Sequence, residues 1–124
     1  MIVLDACVLI ALTDRSNTWH DEARQILARP GGFAICVLTG AEIMVYPVPP
    51  DLGTWQRLFA DLGIDVWSIE AADMPLIADE RRTSGLRMPD ALVLWLARRL
   101  DAAVATFDQT LATRARQFGV AVLP

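Results

Sequence analysis

Residues 87–112 read RMPDALVLWLARRLDAAVATFDQTLA, and the fold turns on how this stretch divides. It predicts a helix carrying Asp90 in its first turn, directly after Pro89. A short apolar strand follows at Ala103–Thr106, and Asp108 then opens a second helix. The N-terminal IVLD predicts another apolar strand, Ile2–Leu4, ending at Asp5. An α/β fold can bring such element ends together, so these carboxylates either converge on one site or cap helices singly.

Around this stretch, helices and short apolar strands alternate. Ala6–Leu12 predicts a helix and residues 13–18 (TDRSNT) a polar turn, with Thr18 as N-cap and Asp21 at N3 of a near-capping box. Trp19, Ala23, Ile26 and Leu27 then form a buried stripe on a helix from Trp19 to Arg29, ended by Pro30-Gly31-Gly32. Phe33–Val37 predicts a strand and Thr39–Tyr46 a short helix holding Glu42, stopped by Pro47–Pro50. Thr54–Leu62 carries Trp55, Leu58, Phe59 and Leu62 at helical spacing and closes at Gly63; Ile64–Trp67 predicts a third strand. A helix then reaches about Thr83, with Pro75 in its first turn or kinking it, before Ser84-Gly85. The last helix, Asp108 to Phe118, stops at Gly119 and leads into a strand at Val120–Leu123. Continuous apolar strands alternating with helices predict one domain, 1–124, a three-layer α/β/α sandwich around a short parallel five-stranded sheet.

Composition narrows the chemistry. The 124 residues suffice for one core, and 54% hydrophobic residues with mean hydropathy +0.37 exclude disorder. No apolar run approaches the ~20 residues of a membrane span, and the opening segment lacks a basic leader, so the expected compartment is the cytoplasm with no membrane partner. Cys7 and Cys36 lie in apolar segments and read as buried thiols. The net charge of −4 argues against a general polyanion binder but allows a local basic surface. All eleven basic residues are arginine. A phosphate-binding P-loop and Schiff-base chemistry both need lysine and are excluded, and no GxGxxG follows a strand.

Each acid has a bland explanation. Asp108 and Asp5 suit N-caps, Asp90 suits a first helical turn, and Glu42 could be an exposed helical residue. Together they suggest more. Ligands of open parallel sheets bind beyond the carboxyl ends of the strands, where strand order reverses. Asp5 and Asp108 lie at two such ends, and Glu42, flanked by Ala41, Ile43, Met44 and Val45, follows a third. Crowded acids stay ionised together only around a cation, and an all-oxygen donor set suits Mg²⁺ or Mn²⁺.

Four blocks, MIVLDACVLIAL, TGAEI, RMPDALVLWLA and ATFDQTLATRARQFGVAVL, resemble the PIN-domain ribonucleases, and among them the VapC toxins of bacterial VapBC toxin–antitoxin modules. The resemblance spans the chain in order. It implies that Asp5, Glu42, Asp90 and Asp108 are the acidic, catalytic and metal-binding quartet, with Glu42 acting directly or through a metal-bound water. Thr106 matches the hydroxyl found two residues before the last acid. Ala6-Cys7 departs from the hydroxyl pair that often follows the first acid. The implied function is Mg²⁺-dependent hydrolysis of RNA by a metal-activated water. The implied partners are an RNA substrate, a VapB-like antitoxin and a second copy of the chain. Arg87, Arg82 and Arg81 are the candidates nearest in sequence for phosphate contacts; a solvated helix face suits Arg81 and Arg82 equally and suits Arg98, Arg99, Arg114 and Arg116 better.

Other residues tempt less. His20, the one histidine, reads as a surface or capping residue, and Trp19, Trp55, Trp67 and Trp95 as mostly core. Two rival functions remain open: a catalytically silent PIN-like binding module and a small-substrate metal-dependent phosphatase.

Overall fold

Alternation along the strands decides which way each side chain points. In β1 (Ile2–Leu4), Val3 enters one apolar cluster while Ile2 and Leu4 enter another. In β2 (Phe33–Cys36), Ala34 and Cys36 join Val3, and Phe33 and Ile35 join Leu4. Both strands are therefore buried on both faces, which is why they read as unbroken apolar runs. The computed structural model describes residues 1–46 and 52–124.

β3 (Ile64–Trp67), β4 (Ala103–Ala105) and β5 (Val122–Leu123) complete a parallel sheet in the order β3-β2-β1-β4-β5. Right-handed crossovers then dictate the layers. Steps from β1 to β2 to β3 run one way, so α1 (Ala6–Thr13), α2 (His20–Leu27), α3 (Val37–Met44) and α4 (Leu52–Leu62) cover the Leu4 face. Steps back to β4 and β5 put α5 (Met74–Ser84), α6 (Met88–Leu100) and α7 (Gln109–Gln117) on the Val3 face. The expected α/β/α sandwich is the architecture found.

Helix α6 is the central element. Ala91 to Ala97 are all buried, since one side of α6 lies on the sheet and α5 packs on another. Its last turn ties α5 in place: Arg98 bonds both Glu80 oxygens at 3.1 and 2.8 Å, and Arg99 bonds Asp73 at 2.8 Å. Each guanidinium also lies over a ring, Arg98 on Phe118 and Arg99 on Trp95. These two arginines are thus not the merely solvated face expected of them.

Boundaries moved where local bonding competes. Thr18 does not cap α2. Asn17 Oδ1 accepts the Trp19 N–H at 2.8 Å, and the helix begins only at His20. β2 stops at Cys36 because Val37 already starts α3, and β5 begins at Val122 rather than Val120. Pro75 occupies the first turn of α5, following a 3₁₀ turn at Ala71–Asp73. The expected stop at Pro47–Pro50 lies outside the described residues.

Candidate active site

The sheet reverses its strand order between β1 and β4, since connections leave these neighbours in opposite directions. A crevice opens there at the carboxyl edge. Leu4 pairs with Ala105, and the Asp5 N–H continues the ladder to the Ala105 carbonyl at 2.9 Å, which sets Asp5 level with Thr106. Both side chains are buried.

A short network fixes them. The Thr106 hydroxyl donates to Asp5 Oδ2 at 2.6 Å and accepts the Asp108 N–H at 3.0 Å, using its donor and one acceptor position. The Cys7 thiol donates to the same Asp5 oxygen at 3.3 Å and accepts the Phe107 N–H at 3.4 Å. A thiol is a weak donor, so Cys7 supports Asp5 less firmly than the Thr106 hydroxyl does. Asp5 sits at the N-cap position of α1 without capping it, contrary to the bland reading. Asp108 does cap α7, its Oδ1 accepting from the Thr110 and Leu111 N–H groups at 2.8 and 3.0 Å. Among the described residues, nothing donates to Oδ1 of Asp5 or to Oδ2 of Asp108.

The other two acids approach from helices. Asp90 is half-buried in the first turn of α6, and burial pushes its carboxyl up to about 6, with repulsion from Asp5, Asp108 and Glu42 adding and Arg87 opposing. Glu42 is raised by burial and then by Asp5, again against Arg87. Its side of α3 is nonetheless exposed, with Ala41 and Val45, so the enclosed apolar setting expected for it is absent. Burial, followed by Asp5, lifts the Cys7 thiol to about 12. A thiol so held is neutral at physiological pH and no nucleophile.

The four acids thus meet electrostatically, and Arg87 joins them from the N-cap position of α6. Arg81 and Arg82 lie on the last turn of α5, where Arg82 is bound to Asp79 at 2.7 Å. Neither enters the charge balance of Asp90 or Glu42. The donor set fits a hard divalent cation in charge and in kind: four carboxylates, each with at least one oxygen that accepts no hydrogen bond from the described residues. As the side chains lie, no three His, Cys, Asp or Glu residues among the described ones stand close enough to hold one ion. A shared ion requires them to draw together. Beside the acids runs a groove of about 430 Å³, lined mainly by Leu38, Ala41, Val45, Met88, Pro89 and Leu92.

Sequence periodicity missed two features. Trp19 is 42% exposed and stacks on Phe107, with centroids 4.9 Å apart and planes within 8°. His20 neither caps nor stands free; its Nδ1 meets the Ala11 carbonyl at 2.9 Å and ties α2 to α1. The signal available for the first was Phe107 itself, an aromatic between Thr106 and Asp108.

Comparison places this arrangement among known folds. The PIN domain family model matches residues 2–117. A toxin–antitoxin complex from Klebsiella pneumoniae aligns with TM-score 0.68 and 26% identity, covering 87% of this chain and 87% of that one. VapC20 of Mycobacterium tuberculosis, a sarcin-ricin loop cleaving toxin, aligns with TM-score 0.71 and 13% identity over 91% and 94%. VapBC2 of Rickettsia felis, bound to a DNA fragment from its promoter, gives 0.64 and 14% over 98% and 97%. The last two likenesses are of fold. No curated protein matches significantly in sequence.

Proposed function

The chain belongs to the PIN domain family, and from that premise we propose that it is a Mg²⁺-dependent endoribonuclease, the toxin of a toxin–antitoxin module. The observation that carries the reading is the meeting of Asp5, Asp108 and Glu42 on Asp90 at the switch point of the sheet. Asp5, Asp90 and Asp108 would hold the ion, with Glu42 joining directly or through a water. Bound there, Mg²⁺ or Mn²⁺ would polarise the scissile phosphate and lower the pKa of an attacking water.

The protein's own contribution is placement. Thr106 and Cys7 bond one oxygen of Asp5, and the α7 cap bonds one oxygen of Asp108, which leaves the other oxygen of each for the ion. Asp90 stands at a helix N-terminus, which favours its anion once a cation offsets the repulsion. Arg87 is the arginine suited to hold a phosphate beside these acids.

The partners we infer are a small antitoxin protein and a second copy of the chain. Val37, Leu38, Val45, Tyr46 and Met88 are exposed around the apolar groove and offer the surface for such contacts. Among the described residues no helix is long and apolar enough to cross a membrane.

The test is incubation of a total bacterial RNA pool with purified protein, in Mg²⁺ or EDTA, beside Asp90→Asn. Discrete fragments that require both Mg²⁺ and Asp90 support the reading. The open spacing of the acids favours a second one, a silent binding module, and RNA bound but left intact in Mg²⁺ would select it.

A further inference from the structure

We propose that Trp19, backed by Phe107, is a platform on which a base of single-stranded RNA stacks, and that Arg15 and Arg24 hold a phosphate beside it. The proposal rests on the ribonuclease reading and extends it to how the strand is held.

The ring pair borders the acids. Phe107 lies between Thr106, which bonds Asp5, and Asp108, which caps α7, and its own N–H bonds Cys7. Trp19 covers Phe107 in near-parallel contact and remains 42% exposed, so one indole face is seated while the other meets solvent. A flat aromatic face fixed from behind loses little freedom when a base stacks on it, and every base has a π-face to offer.

Positive charge gathers at the next residue along the chain, His20, which lines a pocket with two arginines. This pocket, of about 690 Å³, is lined by Leu12, Thr13, Arg15, His20 and Arg24, with no carboxylate among these residues. Among the described residues neither Arg15 nor Arg24 forms an ion pair, whereas Arg82, Arg98 and Arg99 are each committed to an acid. In the nearby Asp14 carboxylate, Oδ1 accepts both the Ser16 N–H and hydroxyl, at 3.0 and 2.6 Å, and the carboxylate forms no ion pair with either arginine. An aromatic face and unpaired guanidinium groups around one α1–α2 connection match the alternation of base and phosphate along a single strand. A duplex keeps its bases stacked and could not use the platform. A purely structural role, pinning the α1–α2 connection to the end of β4, would use only the covered face of Trp19.

The test uses the full chain carrying Asp90→Asn, so that the strand is bound and not cut. Affinity for a labelled single-stranded dodecaribonucleotide is read by fluorescence anisotropy, beside a ribose-phosphate probe of the same length without bases. Trp19→Ala is expected to weaken binding of the intact probe by about 5- to 150-fold and to leave the baseless probe unaffected. Trp19→Phe should retain most of the affinity. Arg15→Gln with Arg24→Gln should flatten the salt dependence by about 0.7 in log–log slope for each phosphate no longer neutralised. Equal weakening on both probes would mean that Trp19 only holds the loop, and would overturn the platform. An unchanged affinity would overturn it too. If the chain with Asp90 intact cuts RNA while Trp19→Ala binds normally, the platform fails and the ribonuclease stands. If no RNA is bound or cut, both fail.

Discussion

Replacing Asp90 by Asn should stabilise the metal-free protein while disabling it. The carboxyl rises from 3.8 to about 6 in the folded chain, chiefly through burial and then through Asp5, Asp108 and Glu42. That rise corresponds to ~3 kcal/mol against folding once the group is ionised. Asp90 is only half-buried, so solvent screening reduces the figure to about 1–2 kcal/mol. Removing the charge also forfeits a favourable interaction with the α6 dipole, about 0.3–1 kcal/mol. The net gain is about 1 kcal/mol, or roughly 3–5 °C in Tm for a domain of this size. The sign follows from linkage: the folded state binds the extra proton, so stability falls as pH rises from about 4 to about 6. Asp90→Asn should therefore gain nothing below the unfolded pKa of 3.8 and its full gain above about 6. Thermal unfolding in EDTA across that range is the assay. An Asn variant equal to or less stable than the parent at neutral pH would refute the reasoning.

Further outcomes follow from the same contacts. Thr106→Val keeps the shape but leaves the Asp108 N–H without its acceptor and frees Asp5; it should lower stability by about 1–3 kcal/mol in denaturant titration and weaken Mn²⁺ binding. With its thiol raised from 9.0 to about 12, Cys7 should react with iodoacetamide at mildly alkaline pH about a thousandfold more slowly than in the unfolded chain, as mass spectrometry can follow. Leu94, fully buried in α6, should cost about 2–5 kcal/mol when cut to Ala. Asp101 closes α6 at φ 50 with an acid at the negative end of the dipole, so Asp101→Gly should raise stability by about 0.5–1 kcal/mol in the same titration.

The strands were legible because burial on both faces leaves unbroken apolar runs, IVL and FAIC among them, and no polar alternation confuses the period. The convergence of Asp5, Asp90 and Asp108 was legible through position, since each follows a strand end or opens a helix. Glu42 does lie near the cluster, but its apolar neighbours in sequence turn to different sides of a helix and do not enclose it. Trp19, which its spacing places inside a helix, falls one residue before the start of α2. Asn17 competes for its N–H and delays the helix, so the ring lands outside the stripe. Long-range pairs such as Arg98 with Glu80 depend on how α5 meets α6, which spacing within either helix does not encode.

The most direct test of the claim that these carboxylates form a cation site is calorimetric titration with Mn²⁺ at pH 6 and again at pH 8. With the Asp90 carboxyl at about 6, binding at pH 6 should release roughly half a proton, visible as a dependence of the heat on buffer, and almost none at pH 8. Asp90→Asn should lose the proton release and most of the affinity, and Asp5→Asn most of the affinity. Absence of binding, or binding indifferent to both substitutions, would contradict the account.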